Sequence, residues 1–414
     1  MFSRLLPRGT YLFAFAAIVL TIAYAAYLAP DWDPARDDQR QYVALARGLV
    51  ERGEYTHAGV GEPFIPEPLR FPGYPLFLAP LCVSGCDPWV IAVAQAIALA
   101  ALVLLTAHLA RPLLGARGAV AAAALVALNP AFSFFAAHAL SDLLATLLFA
   151  GAAIGFTSLS GRPRMWSGAG AGLLAAALVL TRPFLIFGPP LFALIAMTSA
   201  RTRRAAGALV AALFVFLLAV TPYIAYTEVN FGRPVAGSTG AQLWLGYFQG
   251  RSPEQLDAFE RGQAEAGRSR LAAFDAIADR VAQAHAFVAL DDELRSRAFT
   301  LIAHDPAGFV VRGVVRSVEL WAGDVPLRAD TAAVAEIRAI WMVLNLALLG
   351  IGIAGAIRLS RLSGPLAVLP LAVIAATWIV SYPFWAEGRF SLPARPFLSI
   401  GAVAFFALAR RRSL

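Results

Sequence analysis

Acidic side chains open an amphipathic stretch early in the chain. Asp37 and Asp38 precede Tyr42, Leu45 and Leu49, whose spacing predicts a helix with one apolar face. A carboxylate at the start of a helix can accept a proton from a substrate hydroxyl. It can also merely cap the helix and complement its dipole. From this stretch alone, both interpretations of the two aspartates stay open.

Other polar residues allow further chemistry. Asp31 and Asp33 form a D-x-D pair that could hold a metal ion, and Asp142 follows Ser141 at the start of a later apolar helix. None of the five histidines pairs with another at a metal-site spacing. The sequence contains no phosphate-binding glycine loop, no nucleophile elbow and no metalloprotease pair. The candidate chemistry therefore rests on carboxylates.

The composition places these residues in a membrane protein. Of 414 residues, 59% are hydrophobic and 14% are charged, whereas soluble domains average about 45–50% and about 25%. Apolar stretches of the ~20 residues that cross a bilayer recur along the chain. The net charge of +8 does not indicate nucleic-acid binding, because the arginines cluster at the ends of apolar segments, where they meet lipid phosphates.

The apolar segments predict an all-α integral membrane protein with about ten transmembrane helices. Alternate connections collect the arginine clusters, so the positive-inside rule places both termini in the cytoplasm. The first apolar run is longer than the core of a signal peptide, which favours an uncleaved span and a multi-pass protein of the bacterial inner membrane. The predicted spans are 10–29, 88–110, 118–136, 140–160, 165–181, 183–200, 205–226, 337–357, 364–383 and 394–409.

Two long polar segments lie on the opposite, outer side, where function is expected. Residues 30–87 form a helical first outer loop within an N-terminal transmembrane module, 1–227. Residues 228–336 form a larger, mostly helical outer segment between spans seven and eight. Residues 337–414 form a C-terminal transmembrane module. The site is therefore expected to face the periplasm or the exterior.

Two local features of the outer side carry their own predictions. Cys82 and Cys86 lie where oxidation can occur, and their spacing leaves open whether they form a local disulfide or belong to a metal site. Asp305-Pro306 signals a helix start. The helix that follows should have one apolar face and lie in the membrane interface. The residues of that predicted face are Phe309, Val310, Val314, Val315 and Trp321.

Acidic residues lie before Tyr42, and the motif Arg70-Phe71-Pro72-Gly73-Tyr74-Pro75 follows. Together they resemble the first outer loop of the glycosyltransferase C superfamily, and fragments along nearly the whole chain resemble the same superfamily. The nearest branch is similar to the bacterial dolichyl-phosphate-mannose mannosyltransferases and aminoarabinose transferases. The further fragments are Asn129-Pro130, Ser141-Asp142, Thr181-Arg182-Pro183, Thr221-Pro222 with 240–246, and 387–393.

The resemblance implies an inverting transfer of a monosaccharide from a polyprenyl phosphate to an acceptor hydroxyl. Asp38 matches the position of the general base that accepts the hydroxyl proton. Asp37 and Asp142 are the further catalytic candidates, although Asp142 stands where the family more often has Glu, and it could also only cap its helix. Inversion needs one base, because no covalent sugar intermediate forms.

The same resemblance implies that arginines bind the departing lipid phosphate, which gains negative charge. Arg389 is the first candidate, followed by Arg70 and Arg182. The alternative is that each arginine only reaches the lipid headgroups. Proline-rich turns flank Arg70 and Arg389 on the outer side and favour the site interpretation for these two, whereas Arg182 stays balanced between the two interpretations.

The remaining candidates would line the substrate site: Tyr42, Tyr74, His138, Trp244 and Glu387. An ordinary loop histidine and an interfacial aromatic belt are the alternatives for His138 and Trp244. No cofactor and no metal are predicted, although a divalent cation stays open. The expected partners are membrane lipids, the polyprenyl-phosphate sugar donor, and a lipid, glycan or protein acceptor, without nucleic acid.

Two other functions compete with the enzyme. A transporter of a lipid or glycan precursor would place charged residues at mid-membrane and interrupt paired helices in an internal repeat. Neither feature is found in the sequence. The second alternative is an inactive scaffold of the same fold.

Overall fold

The computed structural model describes residues 6–29, 37–161, 163–198, 202–235, 237–323, 325–327 and 334–409, without the side chains of 37, 202–204 and 334. Asp31, Asp33 and the side chain of Asp37 therefore lie outside the described part. Within it, every regular element is helical, which confirms the all-α prediction.

Sixteen α-helices occur in the described residues. Short 3₁₀ segments cover Pro183–Phe187, Pro253–Gln255 and Gly388–Ala394. The α-helices are α1 (Arg8–Leu28), α2 (Asp37–Glu51), α3 (Gly73–Cys82), α4 (Pro88–Ala127), α5 (Pro130–Ala136), α6 (Asp142–Ser158), α7 (Met165–Thr181), α8 (Gly188–Met197), α9 (Thr202–Phe231), α10 (Thr239–Phe248), α11 (Ala258–Asp275), α12 (Arg280–His304), α13 (Pro306–Ala322), α14 (Val334–Ser360), α15 (Pro365–Ser381) and α16 (Arg395–Ala409).

Several of these helices are apolar enough to lie in a membrane. Five stretches of the described chain have the length and hydropathy of a span: α1, α4, Ala205–Phe231, Ala335–Ser360 and Gly388–Ala409. The bent pair of α12 and α13 would make a sixth. The helices α3, α6, α7, Pro183–Met197 and α15 are apolar but shorter. The chain is thus a multi-pass helical membrane protein by composition, while ten crossings stay a prediction.

The predicted spans 88–110 and 118–136 correspond to the two parts of α4. They are separated by a break at Gly115, whose φ of 73° is left-handed, but the second part ends at Ala127, earlier than predicted. The second predicted span does not reach residue 136, because Asn129 is extended and its side chain accepts a hydrogen bond from the Ala131 N–H. Pro130 then starts the short helix α5.

Small residues bring α7 and α9 into close contact. A Cβ on Gly168 would lie 1.9 Å from the carbonyl oxygen of Ala208, and one on Gly172 would lie 2.1 Å from that of Ala212. The two glycines are four residues apart on α7, and the two alanines are four residues apart on α9. These small residues let the two backbones approach closely, as in many membrane helix pairs. This contact fixes α7, whose outer end leads into Arg182.

The helices of the predicted outer segment, 228–336, form a hydrophobic core of their own. Helices α10, α12 and α13 bury a set of apolar side chains against one another. Asp291 accepts hydrogen bonds from the N–H groups of Gly240 and Ala241, and so fixes the start of α10 on α12. In the first outer loop, Cys82 and Cys86 form a disulfide at the end of α3. The buried core is Leu243, Trp244, Tyr247, Leu290, Leu294, Ala298, Leu301 and Phe309.

Candidate active site

The carboxylate of Asp38 lies between two guanidinium groups. Arg70 Nη2 donates to Asp38 Oδ1 at 2.5 Å, and Arg389 Nη1 donates to Asp38 Oδ2 at 2.9 Å. The side chain of Asp38 is 27% exposed, so an incoming molecule can reach it. One aspartate and two of the predicted arginines therefore meet in space, although Asp38 and Arg389 are 351 residues apart in sequence.

These contacts set the charge state of the carboxyl group. Burial is the largest single influence and would raise the pKa of Asp38, because it disfavours the charged form. The positive charges of Arg70 and Arg389 together outweigh burial and leave the pKa of Asp38 below its ordinary value. Asp38 is therefore ionised at neutral pH and able to accept a proton.

Glu67 builds the turn that presents Arg70. Its Oε1 accepts hydrogen bonds from the N–H groups of Leu69 and Arg70, both at 2.5 Å, and its Oε2 pairs with His57 Nε2. The Glu67 N–H in turn contacts the hydroxyl of Tyr226 on α9 at 2.6 Å. A carboxylate that is only 3% exposed stabilises its surroundings when such donors satisfy it. Glu67 therefore fixes the backbone of Arg70.

The side chain of Arg70 is held from a second direction by α2. Its Nε donates to Gln41 Oε1 at 2.6 Å, and its guanidinium lies 5.1 Å from the ring centre of Tyr42. Tyr42 packs edge-on against Tyr74, with ring centres 4.9 Å apart. The two predicted lining tyrosines thus support the arginine, and Tyr74 is fully buried.

Two hydrogen bonds with Gln249, in the predicted outer segment, hold the backbone near Arg389. The side-chain amide of Gln249 donates to the carbonyl oxygen of Ala386 at 2.7 Å and accepts from the Ala386 N–H at 2.8 Å. Glu387 then receives hydrogen bonds from Trp385 Nε1 at 3.0 Å and from Arg389 Nε at 2.5 Å. Arg389 bridges two carboxylates, Glu387 and Asp38, with different nitrogens.

A second ion pair lies beside the first. Arg182 Nη1 donates to Asp142 Oδ1, and Asp142 is 2% exposed. Phe390 connects the two pairs, because its ring centre is 5.1 Å from the Arg182 guanidinium and 5.6 Å from that of Arg389. Asp142 therefore has an ionic partner, and it is less accessible than Asp38.

Gly73 lets the Arg70 turn approach the end of α7. A Cβ at this position would lie 2.5–2.7 Å from the Thr181 hydroxyl and from backbone atoms of Leu180 and Thr181. We expect Gly73→Ala to lower the free energy of unfolding by about 1–3 kcal/mol, the usual cost of overpacking. Thermal unfolding in detergent checks this.

The matched control is Gly170→Ala on α7, where nothing lies within 4 Å of an added Cβ. This exposed helical position should be neutral or gain about 0.5–1 kcal/mol. Equal melting temperatures for Gly73→Ala and the wild type would contradict the tight contact.

For two predicted lining residues, the contacts are with residues outside the arginine cluster. His138 turns its Nδ1 towards the Phe134 carbonyl oxygen at 2.8 Å, and burial lowers the pKa of its imidazole. Trp244, the other predicted lining residue, is 4% exposed and packs in the core formed by α10, α12 and α13. A Cβ on Gly267 would lie 2.4 Å from its indole ring, so the backbone of α11 packs directly against the ring.

Sequence reasoning missed the residues that hold the cluster in place. Glu67, Gln41, Gln249 and Phe390 contact the arginines or their backbone. Glu67 gave a usable signal, since it is a carboxylate three residues before Arg70 in a proline-rich turn. Gln249 gave none, because its partner Ala386 is 137 residues away.

Comparisons with known proteins identify solved structures with a similar fold. No family model matches the chain, and no curated protein sequence matches it. The solved structures of the Archaeoglobus fulgidus oligosaccharyltransferase in the apo form and of AglB from that organism with an inhibitory peptide and a dolichol-phosphate match with TM-scores of 0.55 and identities of 15% and 14%. They cover 97% and 98% of this chain.

A third structure, the A. fulgidus enzyme tethered to an acceptor peptide, matches with a TM-score of 0.54 and 13% identity. The chain spans 50–51% of the length of these three proteins. At this level of identity the likeness concerns the fold, which the chain shares with membrane glycosyltransferases of the oligosaccharyltransferase kind.

Proposed function

We propose that the chain is a membrane glycosyltransferase that moves a monosaccharide from a polyprenyl-phosphate donor to an acceptor hydroxyl on the outer face. Asp38 is the general base. Arg70 and Arg389 bind the lipid phosphate, with Arg182 behind them. The observation that carries the proposal is the partly exposed Asp38 carboxylate held between two guanidinium groups.

The reaction needs only one carboxylate near the anomeric carbon. Asp38 takes the hydroxyl proton while the acceptor oxygen bonds to the anomeric carbon, and the bond from that carbon to the phosphate oxygen breaks. The electron pair leaves with the lipid phosphate, whose added charge the arginines stabilise. Because the acceptor attacks opposite the leaving group, the configuration inverts.

An incoming phosphate would compete with Asp38 for the same guanidinium groups. In the structure, both arginines donate to the carboxylate. A donor phosphate that draws one of them away weakens the positive field at Asp38 and raises its proton affinity. Donor binding would thus make Asp38 a stronger base at the moment when the hydroxyl must be deprotonated.

Three features favour a lipid phosphate over a nucleotide sugar. The structure of AglB contains a dolichol-phosphate, and the present sequence has no nucleotide-binding glycine motif. The site also lies beside apolar helices that a lipid tail can contact, including α3 and α6. We propose a lipid-phosphate donor for this chain, and we do not infer a peptide acceptor from the structure of AglB.

The direct test is release of polyprenyl phosphate from a panel of polyprenyl-phosphate sugars. Purified protein in liposomes would receive each donor with lipid, glycan and peptide acceptors. We expect turnover with one donor class and an inverted anomeric centre in the product. No turnover with any donor, in lipid and in detergent, would favour a transporter or an inactive scaffold.

The lowered pKa of Asp38 predicts a particular pH dependence. As the pH falls through this pKa, Asp38 becomes protonated and can no longer act as a base. The acid limb of kcat/KM for the donor, which reports the free enzyme, should therefore lie below the ordinary carboxyl range. The acid limb of kcat should lie at higher pH, because bound phosphate weakens the arginine contacts.

The control for this profile is Arg70→Gln, which removes one positive charge from Asp38. Its kcat/KM limb should move towards higher pH, since Arg70 lowers the pKa of Asp38. Identical limbs for kcat and kcat/KM in the wild type would contradict the competition between phosphate and carboxylate.

A further inference from the structure

Helix α13 has two faces of different kinds. One face is buried in the protein and includes Phe309, Gly313, Arg316 and Trp321. The opposite face exposes four valines to their surroundings. Phe309 and Trp321 therefore do not belong to the predicted apolar face, which the structure narrows to a valine stripe. The stripe consists of Val310 (58% exposed), Val311 (68%), Val314 (61%) and Val315 (42%).

The position of α13 defines what this stripe can meet. Trp378, in the last turn of α15, donates its indole N–H to Ser317 Oγ at 2.6 Å. Arg395, the first residue of α16, donates to the carbonyl oxygen of Trp321 at 3.2 Å. Helix α13 thus contacts the ends of two apolar helices, α15 and α16.

The exposed valines resemble the lipid-facing residues of the neighbouring span. Val343 and Leu344 of α14 are 64% and 60% exposed, and their helix is long and apolar enough to cross a membrane. A contiguous apolar stripe at the edge of a span is unfavourable in water. It is favourable in the boundary layer, where amphipathic helices bury one face.

The buried face of α13 contacts Tyr382, at the start of the segment that leads to Arg389. Arg316 Nε donates to the Tyr382 carbonyl oxygen at 2.8 Å, and Arg316 Nη1 donates to that of Gly246 at 2.9 Å. The Tyr382 hydroxyl donates to the carbonyl oxygen of Val310 at 2.5 Å. A Cβ on Gly313 would lie 2.0 Å from the Tyr382 ring, so the ring packs directly against the backbone of α13 at this glycine.

We propose that α13 seats its valine stripe in the boundary layer of the membrane and thereby holds the 382–389 segment in place. The occupant of the stripe is lipid, because the stripe continues the exposed apolar surface of the spans. The inference goes beyond glycosyl transfer, and its test needs no turnover.

Spin labels report the occupant directly. The two native cysteines are bridged to each other, so Val311→Cys and Val314→Cys can be labelled singly in liposomes of phosphatidylethanolamine and phosphatidylglycerol. We expect greater accessibility to oxygen than to a water-soluble nickel chelate, as for a label at Leu344→Cys. Ala272→Cys on α11, which is exposed in the outer segment, should give the opposite ratio.

Two results would overturn the docking. One is nickel accessibility at 311 and 314 equal to that at 272. The other is dipolar broadening between the labels of two molecules, which would assign the stripe to a second copy of the chain.

The hold on the 382–389 segment is tested by hydrogen exchange in the same liposomes. Val311→Glu with Val314→Glu should speed exchange of the backbone amides in this segment by about tenfold, the factor expected from losing the burial of one valine. The control pair, Ala272→Glu with Ala273→Glu, adds the same charge at exposed positions. Unchanged exchange in a folded valine variant would overturn the hold.

Discussion

Replacing Asp38 with asparagine is expected to lower kcat for sugar transfer by about 10²–10⁴-fold, the usual contribution of a positioned base. Asparagine keeps the shape of the side chain and one oxygen that can accept from Arg70 or Arg389. It cannot take up the hydroxyl proton, so donor binding should persist while turnover falls. The measurement is polyprenyl phosphate release at saturating donor, together with donor affinity.

The outer segment offers a matched control for this change. Asp292 also pairs with an arginine, through Arg233 Nη2 at 2.5 Å, but it lies on α12 and is 42% exposed. Asp292→Asn removes the same charge and should leave kcat unchanged. Full activity of a folded Asp38→Asn protein would remove Asp38 from the base role and leave Asp37 and Asp142 as candidates.

The second large effect is expected from Arg389→Lys. Arg389 donates from Nε to Glu387 and from Nη1 to Asp38, and the single ammonium group of lysine cannot span both carboxylates. Loss of one positioned donor to developing charge typically costs about 10²–10³-fold in kcat. We expect a loss of that size although the charge is retained, measured with the same release assay.

Arg233→Lys is the control for this substitution, because Arg233 also uses two nitrogens on one carboxylate, Asp292. It should leave transfer unchanged. If Arg389→Lys were as active as the wild type, the arginine would act only as a diffuse positive charge. The fixed geometry of the cluster would then have no part in catalysis.

The local chemistry of the site could be predicted from sequence, because the signals are short. The turn around Arg70 and the helix that begins near Asp38 each occupy a few residues, and their outer location follows from the arginine clusters. The pairing of Asp38 with Arg389 was reached only through a resemblance. Nothing in the composition or periodicity connects residues so far apart along the chain.

Where the structure differs from the sequence-based predictions, the differences also have physical reasons. The sequence predicts Trp244 as a lining residue because an aromatic ring can stack on a sugar, but α10, α12 and α13 bury enough apolar surface to form their own core around it. The predicted span 118–136 includes Asn129-Pro130 because apolar residues continue on both sides of this pair. Backbone geometry at a residue before proline overrides that continuity.

The two arginines around Asp38 also have consequences for biosynthesis. A ribosome adds about 5–20 residues per second, so Arg389 is made about 20–70 s after Asp38. During that interval the nascent chain holds Asp38 and Arg70 in the membrane without their third partner. The contact between Asp38 and Arg389 can therefore form only after most of the chain has been synthesised.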